Sequence, residues 1–317
     1  MFIFRCFKLQ NIALWGRPWS SYCWDRPIST PTTFRKSLPC WKLDWQVISA
    51  FCLLVQLNNH AFCWRGGFGS VYAGVRLKDN KIVAIKHVAR DNIRLWCSAH
   101  GKSVPKEICL MRHAHGTPNV IKLLDYYERP DSFILILSRP SCYKVKFWTV
   151  CLMVNNLSLC FQDLFDFISE KGTLDEVISQ KFFKQILCAA KTLKERNVVH
   201  RDIKDENILV NLKTNSCILI DFGSGCHLGN GTLREFEGTH LYAPPEWLQK
   251  GEYASEAATV WSLGVLLFVM INGDVPFQSD QDICKGELRF RKHFSIGKKT
   301  KEFIFVFTKF TFQLPKN

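Results

Sequence analysis

Two clusters of polar and charged residues stand beside apolar runs in this 317-residue chain. The first is "HRDIKDEN" at residues 200–207, preceded by "NVV", and the second is "DFGSG" at 221–225, preceded by "CILI". They place an Asp, a Lys, an Asn and a second Asp next to segments that are typical of buried strands. Phosphoryl transfer needs such a set, because the reaction depends on positioning and charge neutralisation more than on covalent catalysis.

Each member of this set has a predicted task. Asp202 would accept or orient a substrate hydroxyl, and Lys204 would place a positive charge beside the transferred phosphate. Asn207 and Asp221 would supply the hard oxygen ligands that a metal ion needs. Loops that follow strands can present such groups to a cleft while the strands stay buried. The competing interpretation is that Asp202, Asn207 and Asp221 are turn residues that cap strands.

The segments before these clusters predict a small lobe rich in strands. "SVYAGVRL" and "KIVAIKHV" are β-branched runs separated by the polar turn "KDN", which predicts a hairpin. "VPKEICLMRHA" (104–114) predicts a helix with Pro105 near its start. "VIKLLDYYE" and "SFILILS" predict two more strands, whereas "QLNNHAFCW" is a poor strand by its pattern.

Helices are predicted to dominate after residue 161. Thr173 and Glu176 fit a capping box, and apolar residues at helical spacing follow them as far as Leu193. "VWSLGVLLFVMI" (260–271) is apolar on every face, which predicts a helix buried in the middle of this second lobe.

These motifs, in order along the chain, resemble those of the eukaryotic protein kinase family. "VAIK" (83–86) fits the strand lysine, "HRDIKDEN" the catalytic loop, "DFG" the metal-binding motif, and "PPEW" (244–247) stands where the family has A-P-E. "ERPDSF", "QDLFDFI" and "IDFGSG" make the chain similar to the Pim-type serine/threonine kinases. The resemblance covers residues 64–140 and 162–290. It implies an α+β, bilobal fold with a strand-rich N-lobe, a helical C-lobe and ATP bound between them.

The resemblance also implies a nucleotide site with ATP and Mg²⁺ as cofactors. Lys86 would hold the phosphates and is placed to pair with Glu107 on the predicted helix, while Asn207 and Asp221 would bind the metal. The implied ATP-binding residues are Gly66, Gly67, Phe68, Gly69, Val71, Ala84, Lys86, Glu107, Leu137 and Ser138. The competing interpretations are an exposed Lys86–Glu107 salt bridge and an ordinary hairpin turn at the glycine run.

Arg-rich protein substrates, phosphorylated on Ser or Thr, are implied by the same resemblance. They require an acidic receiving surface, and the residues that match it are Asp163, Asp166, Asp205 and Glu206. Asp163 and Asp166 fit the solvated start of a helix almost equally well. Glu235, in the activation segment, is expected to pair with Arg201 and so to give activity without phosphorylation there; the alternative is a solvated Glu235.

Three segments depart from the family pattern and divide the chain. Residues 1–63 are expected to be a disordered, non-family segment, residues 141–161 enter at the hinge, and residues 291–317 replace the expected C-terminal helices. Glu246 of "PPEW" should thereby lack its usual Arg partner. These departures leave a second hypothesis, a kinase-like binding protein or an inactive product of a mis-spliced or misassigned gene model.

The net charge of +14 invites a nucleic-acid interpretation, but its distribution argues against one. Residues 1–63, 141–161 and 291–317 carry nearly all of the excess, so the kinase-like parts are almost neutral. The fourteen cysteines form no CxxC pairs, which predicts neither a zinc site nor a disulfide framework and favours a reducing compartment. We expect no signal peptide and no membrane span. The resemblance implies a monomer in the cytoplasm and nucleus.

Overall fold

The computed structural model describes residues 55–66, 69–99, 101–139, 161–229, 231–288 and residue 290, with the backbone alone described over 55–66. The chain divides into two compact units, Met1–Asp44 and Trp45–Asn317, and every described residue belongs to the second of them. The predicted segment 291–317 and residues 141–160 of the predicted segment 141–161 lie outside the described residues, whereas Phe161 begins a strand.

A five-stranded antiparallel sheet forms the first part of the fold, in the order β1-β2-β3-β7-β6. The predicted hairpin is confirmed as β2 and β3, and Asn80 in its turn adopts a φ of +52°, which asparagine tolerates. Side chains alternate along β3 and β7, so that one face joins the main core and the other forms a small apolar cluster. The strands are β1 (Val55–Gly66), β2 (Gly69–Arg76), β3 (Lys81–Ala89), β6 (Leu123–Glu128) and β7 (Ser132–Ser138).

Strand β1 contains the segment "QLNNHAFCW", which by its pattern is a poor strand. Its pairing with β2 shifts between Leu57 and Phe62 and again between Phe62 and Trp64. Such bulges interrupt the alternation of side chains between the two faces of the sheet. The sequence therefore lacks the period of two residues by which a strand is predicted. The predicted boundary at residue 64 therefore falls inside a strand, and residues 55–63 belong to the sheet rather than to a disordered segment.

A small hairpin and a helix connect β3 to β6. Strands β4 (Trp96–Ala99) and β5 (Lys102–Pro105) pair with each other outside the main sheet, and β5 leads directly into α1 (Lys106–His113). Pro105 is the residue before the first helical turn, as predicted. A disulfide joins Cys97 of β4 to Cys109 of α1. Sequence spacing did not indicate it, because the two cysteines come together only through the turn into the helix.

Helices and short strands make up the second part. The helices are α2 (Leu164–Lys171), α3 (Glu176–Glu195), α4 (Pro245–Lys250), α5 (Ser255–Asn272) and α6 (Asp280–Lys285). The strands are β8 (Phe161–Asp163), β9 (Val198–Val199), β10 (Ile208–Asn211), β11 (Ser216–Leu219) and β12 (Cys226–His227). They form a β11-β10-β8 sheet and a β12-β9 pair, whose loops carry the two polar clusters.

Helix α5 lies at the centre of this part, as predicted. Its side chains are buried almost throughout, and the ring of Trp261 stacks on Phe277 with centroids 5.5 Å apart. Of the described helices it alone has the length and apolar composition to cross a membrane. Because most of it is buried inside the fold, it is a core helix.

The predicted capping box at the start of α3 is wrong. The helix begins at Glu176, and the carboxylate of Asp175 accepts the N–H of Ile178 at 2.9 Å. Thr173 therefore lies too early in the chain to cap it. A carboxylate is a strong N-cap, and its negative charge is stabilised by the positive end of the helix dipole. Asp175 is therefore the N-cap of α3.

Candidate active site

A buried ion cluster joins the sheet to the loop after β11. Lys86 Nζ, on β3, donates to Glu107 Oε1 at 2.7 Å and to Asp221 Oδ1 at 2.8 Å. Glu107 stands in the first turn of α1. The side chains of Lys86 and Glu107 are only 4% and 8% exposed, so the interpretation of an exposed salt bridge is wrong.

Burial and charge act in opposite directions on these groups. Burial would lower the pKa of Lys86, but the carboxylates of Glu107 and Asp221 outweigh it and raise that pKa. Burial raises the pKa of Glu107, with Lys86 opposing and Asp221 adding to the effect. Burial also disfavours the charge of Asp221, but Lys86 prevails and lowers the pKa. Lys86 is therefore a fixed cation at neutral pH, suited to a phosphate.

Asp202 is held by two partners from different parts of the chain. Its Oδ1 accepts the backbone N–H of Thr239 at 2.9 Å and the Thr239 hydroxyl at 2.7 Å. Its Oδ2 accepts from Asn207 Nδ2 at 2.8 Å. A carboxylate oxygen can accept two hydrogen bonds, and Oδ2 has one hydrogen-bond donor in the described part of the chain. Oδ2 is thus the atom that can accept from a substrate hydroxyl.

Lys204 stands between two carboxylates. Its ammonium forms an ion pair with Glu206 and lies 4.0 Å from Asp202 Oδ2. Burial opposes its charge, but Asp202 and Glu206 outweigh burial and raise the pKa of Lys204. The side chain therefore carries a positive charge beside Asp202, where developing negative charge on a transferred group could be stabilised.

The backbone is strained at two positions of the site. Arg201 and Asp221 have φ angles of +63° and +65°, in the left-handed region that residues other than glycine enter at a cost in free energy. Arg201 Nε donates to Ser224 O at 2.6 Å, and Asp221 Oδ1 accepts from Gly223 N–H at 3.1 Å. These contacts hold the strained loops in the conformation that presents Asp221 to Lys86.

His200 has a structural role between the two polar loops. Its buried ring donates from Nε2 to Ile220 O at 3.0 Å and accepts the N–H of Asp202 at Nδ1 at 3.3 Å. The ring packs edge-on against Phe222, with centroids 4.9 Å apart. Burial lowers the pKa of His200, so the ring is neutral and links the two polar loops.

The predicted glycine loop is the turn between β1 and β2. Gly66 and Gly69 pair at the end of this hairpin, and Gly67 and Phe68 lie outside the described residues. Gly69 has a φ of +150°, and a Cβ added there would lie 2.3 Å from His87 O. Glycine is therefore required by the close approach of β3, whatever the role of the loop.

The other predicted nucleotide residues lie on neighbouring strands. Ala84 on β3 is opposite Leu137 on β7, and Val71 on β2 is opposite Lys86. Ser138 ends β7, and its hydroxyl accepts the N–H of Lys122 at 3.0 Å. This pairing aligns Val71, Ala84 and Leu137 with the phosphate-binding candidate Lys86.

Asn207 and Asp221 offer oxygen atoms that fit Mg²⁺. Asn207 Nδ2 donates to Asp202 O and Oδ2, both at 2.8 Å, so the amide is oriented by its nitrogen and its oxygen is available as a ligand. The described contacts of Asp221 are made through Oδ1, which leaves Oδ2. Two protein oxygens suit Mg²⁺, which completes its octahedral shell with phosphate oxygens and water.

The four acidic residues predicted to receive substrate arginines have different surroundings. Asp163 caps α2 by accepting the N–H of Asp166 at 2.7 Å, and the buried Asp205 accepts the Tyr242 hydroxyl at 3.1 Å. Asp166 and Glu206 are exposed. Burial, followed by the charges of Asp166, Asp205 and Glu206, raises the pKa of Asp163 to about 6. The four carboxylates therefore form one mutually repelling acidic cluster.

The predicted ion pair between Arg201 and Glu235 is wrong. Arg201 Nη1 reaches the backbone oxygen of Glu235 at 3.4 Å, and the Glu235 side chain is exposed. The guanidinium is satisfied instead by main-chain carbonyl groups, chiefly that of Ser224 at 2.6 Å. The carboxylate that contacts a cation in this segment is Glu237, whose Oε2 lies 3.2 Å from Arg94 Nη1.

Thr239 and Ser224 are site residues whose roles the sequence did not indicate. The hydroxyl of Thr239 donates to Asp202. The hydroxyl of Ser224 donates to Glu237 O at 2.7 Å and so joins the "DFGSG" loop to the activation segment. Ser224 stands in the "DFGSG" motif and Thr239 just before "PPEW", but partners 13 and 37 residues away cannot be read from local spacing.

Glu246 of "PPEW" is a partly buried carboxylate at the start of α4. Its Oε2 is buried and has no hydrogen-bond partner among the described residues. Burial raises the pKa of Glu246.

The sequence of this chain is similar to those of known protein kinases. The protein kinase domain family matches residues 63–309, a range that runs across 141–161 and beyond residue 290. The chain is 41% identical over 241 residues to serine/threonine-protein kinase pim-2 of Danio rerio, covering 73% of this chain and 72% of that protein. It is 40% identical over 224 residues to serine/threonine-protein kinase prk-2 of Caenorhabditis elegans, covering 71% and 47%.

A more distant relative is serine/threonine-protein kinase PSK1 of Saccharomyces cerevisiae, 30% identical over 75% of this chain and 17% of that protein. The identities to pim-2 and prk-2 exceed this value over a similar part of the chain. With the sheet, the helical part and the Lys86–Glu107–Asp221 cluster as described, the chain belongs to the protein kinase family and, within it, to the Pim-type serine/threonine kinases.

Proposed function

We propose that this chain transfers the γ-phosphate of Mg²⁺-bound ATP to Ser or Thr in Arg-rich protein segments, and that it does so without phosphorylation of its activation segment. The observation that carries the substrate preference is the acidic cluster of Asp163, Asp166, Asp205 and Glu206, in which burial, followed by the charges of the other three carboxylates, raises the pKa of Asp163 to about 6. The cluster adjoins the loop that contains Asp202 and Lys204.

The chain's own residues supply the positioning that the transfer needs. Lys86, fixed by Glu107 and Asp221, binds the phosphates, and Asn207 and Asp221 offer oxygens to the metal. When bound, Mg²⁺ neutralises charge on the phosphates. Asp202 Oδ2 accepts a hydrogen bond from the substrate hydroxyl and orients it, while Lys204 neutralises charge beside it.

A cationic substrate would relieve the repulsion in the acidic cluster. Four carboxylates lie together, and Lys204 is the cation that contacts one of them, Glu206. Arginine side chains form charge-assisted hydrogen bonds to carboxylates, often through two parallel N–H groups. Because Asp163 and Asp205 also have structural contacts, the exposed pair Asp166 and Glu206 should provide most of the direct binding.

Contacts among unmodified residues support activity without activation-segment phosphorylation. Arg201 binds the carbonyl group of Ser224, and Ser224 in turn binds that of Glu237. The Thr239 hydroxyl donates a hydrogen bond to Asp202, and the backbone of Leu233 pairs with that of Tyr253 in the helical part. The segment thus has attachments at several points that need no phosphate group.

The substrate preference is tested with two Ser-containing peptides that differ only in whether Arg or Gln precedes the serine. We expect the chain to prefer the Arg peptide, and the variant Asp166→Asn/Glu206→Gln to raise KM for that peptide about tenfold, because charge-assisted contacts are lost. Glu195→Gln, an exposed carboxylate at the end of α3, is the matched control and should leave KM unchanged. Equal use of both peptides by the unaltered chain would contradict the proposed preference.

A further inference from the structure

The disulfide between Cys97 and Cys109 lies close to the ion cluster of the active site. Cys109 is buried on α1, two positions after Glu107, and Cys97 is half-buried on β4. Their Cα atoms are 6.9 Å apart, just above the range that is usual for disulfides. The link therefore connects the helix that carries Glu107 to the β4–β5 hairpin.

Helix α1 depends on tertiary contacts for its position. It has eight residues, and its N-terminus has no side-chain cap. A helix of this length is marginal by itself, so packing and cross-links determine where it lies. Glu107 can meet Lys86 only when α1 is held against the sheet.

The hairpin at the other end of the link is anchored on the main sheet. The ring of Trp96, next to Cys97, packs edge-on against Phe133 of β7 with centroids 5.8 Å apart. The guanidinium of Arg90 lies 5.6 Å from the Trp96 ring and 4.8 Å from the Phe133 ring. The backbone N–H of Lys106 also donates to Leu95 O at 2.9 Å. Cys97 therefore belongs to a hairpin that is held on the main sheet, so a disulfide to Cys97 restrains α1 relative to that sheet.

We propose that Cys97 and Cys109 form a reversible redox site whose disulfide holds Glu107 beside Lys86 and whose reduction weakens nucleotide binding. The oxidant is a hydroperoxide. The half-exposed Cys97 thiolate attacks its oxygen to form a sulfenic acid and release water or an alcohol, and the Cys109 thiolate then attacks the sulfenic sulfur and expels a second water. The two thiols lose two electrons and two protons, and the peroxide O–O bond is reduced.

Reduction leaves α1 held by the chain connection to β5, by the hydrogen bond from Lys106 to Leu95, by packing and by the Lys86–Glu107 contact, without the cross-link from its middle to β4. The helix can then move, and Lys86 loses part of its contact with Glu107. The inference rests on the kinase assignment of this site and not on the proposed substrate preference, so nucleotide binding is the suitable readout.

The test compares the full-length chain after reduction with dithiothreitol and after treatment with hydrogen peroxide. Thiol alkylation and peptide mapping should show Cys97 linked to Cys109 only after oxidation, with the exposed Cys188 alkylated. Hydrogen exchange of the α1 amides should be faster in the reduced chain. A fluorescent ATP analogue should bind about fivefold more weakly to the reduced chain, at the low end of measured couplings between sites.

Variants separate this coupling from simple stabilisation. Cys97→Ala and Cys109→Ser should each bind nucleotide as the reduced chain does under both conditions, whereas Cys188→Ser should behave as the unaltered chain. In Glu107→Gln the disulfide should still form and still slow exchange in α1, but the redox dependence of nucleotide binding should disappear. Alkylation of both Cys97 and Cys109 after oxidation would overturn the proposal, as would equal nucleotide affinity in the two redox states.

Discussion

At the scale of residues, Asp163 should make the proposed binding of Arg-rich peptides depend on pH. Its pKa is raised to about 6, first by burial and then by its acidic neighbours. Below this pH the carboxylate is protonated and offers an arginine no charge. We therefore expect KM for the Arg peptide to fall as pH rises from 5 to 7, and Asp163→Asn to flatten that dependence. Asparagine can still cap α2, so the helix should be retained.

Initial rates against peptide concentration at several pH values measure this effect. The Gln peptide serves as the control, because its KM should lack the step near pH 6. A step of equal size in Asp163→Asn would assign the titration to another group.

The residues with the clearest chemistry were predictable one by one. Lys86, Asp202, Asn207 and Asp221 stand in short motifs, and the Lys86–Glu107 contact was predicted correctly. The partner of Arg201 was not predicted correctly. Its guanidinium binds a backbone carbonyl group, and because every residue has one, no residue type in the sequence indicates which carbonyl group is bound.

At the scale of elements, α4 contains a carboxylate whose burial should lower stability at neutral pH. Burial raises the pKa of Glu246 above its usual 4.5, so the folded chain keeps this proton at pH values where the unfolded chain has lost it. The free energy of unfolding should therefore fall as pH rises through and above 4.5. Glu246→Gln should remove this part of the pH dependence and stabilise the chain at pH 7.5.

Urea unfolding at pH 5 and pH 7.5 measures the difference, with Glu195→Gln as an exposed control. A loss of stability in Glu246→Gln at pH 7.5, with the pH dependence unchanged, would show that the carboxylate has a cationic partner in the folded chain.

Elements with a regular period were predictable, and those shaped by local competition were not. The hairpin β2–β3 and the buried helix α5 follow from alternation and from an apolar run. The start of α3 was misplaced because Asp175 competes with Thr173 as the cap. Strand β1 was underestimated because its bulges break the alternation.

At the scale of the whole molecule, two lobes were predictable from the order of the motifs, but the contact of Lys86 on β3 with Asp221 after β11 was not. These two residues are 135 positions apart, and only folding brings them together. The Cys97–Cys109 link, within the first part of the fold, is a second contact that the sequence did not indicate. Composition alone, including the net charge of +14, indicated neither.

The central claim is that this chain is a protein kinase active without activation-segment phosphorylation. The most direct measurement is transfer of radiolabelled phosphate from ATP to the Arg peptide by chain made in bacteria and treated with phosphatase. We expect transfer to persist after phosphatase treatment and to fall about 100-fold or more in Lys86→Met, because a preorganised charge is lost from the site. Lys184→Met, an exposed lysine on α3, should match the unaltered chain. Nucleotide binding without phosphate transfer by the treated, unaltered chain would contradict the claim.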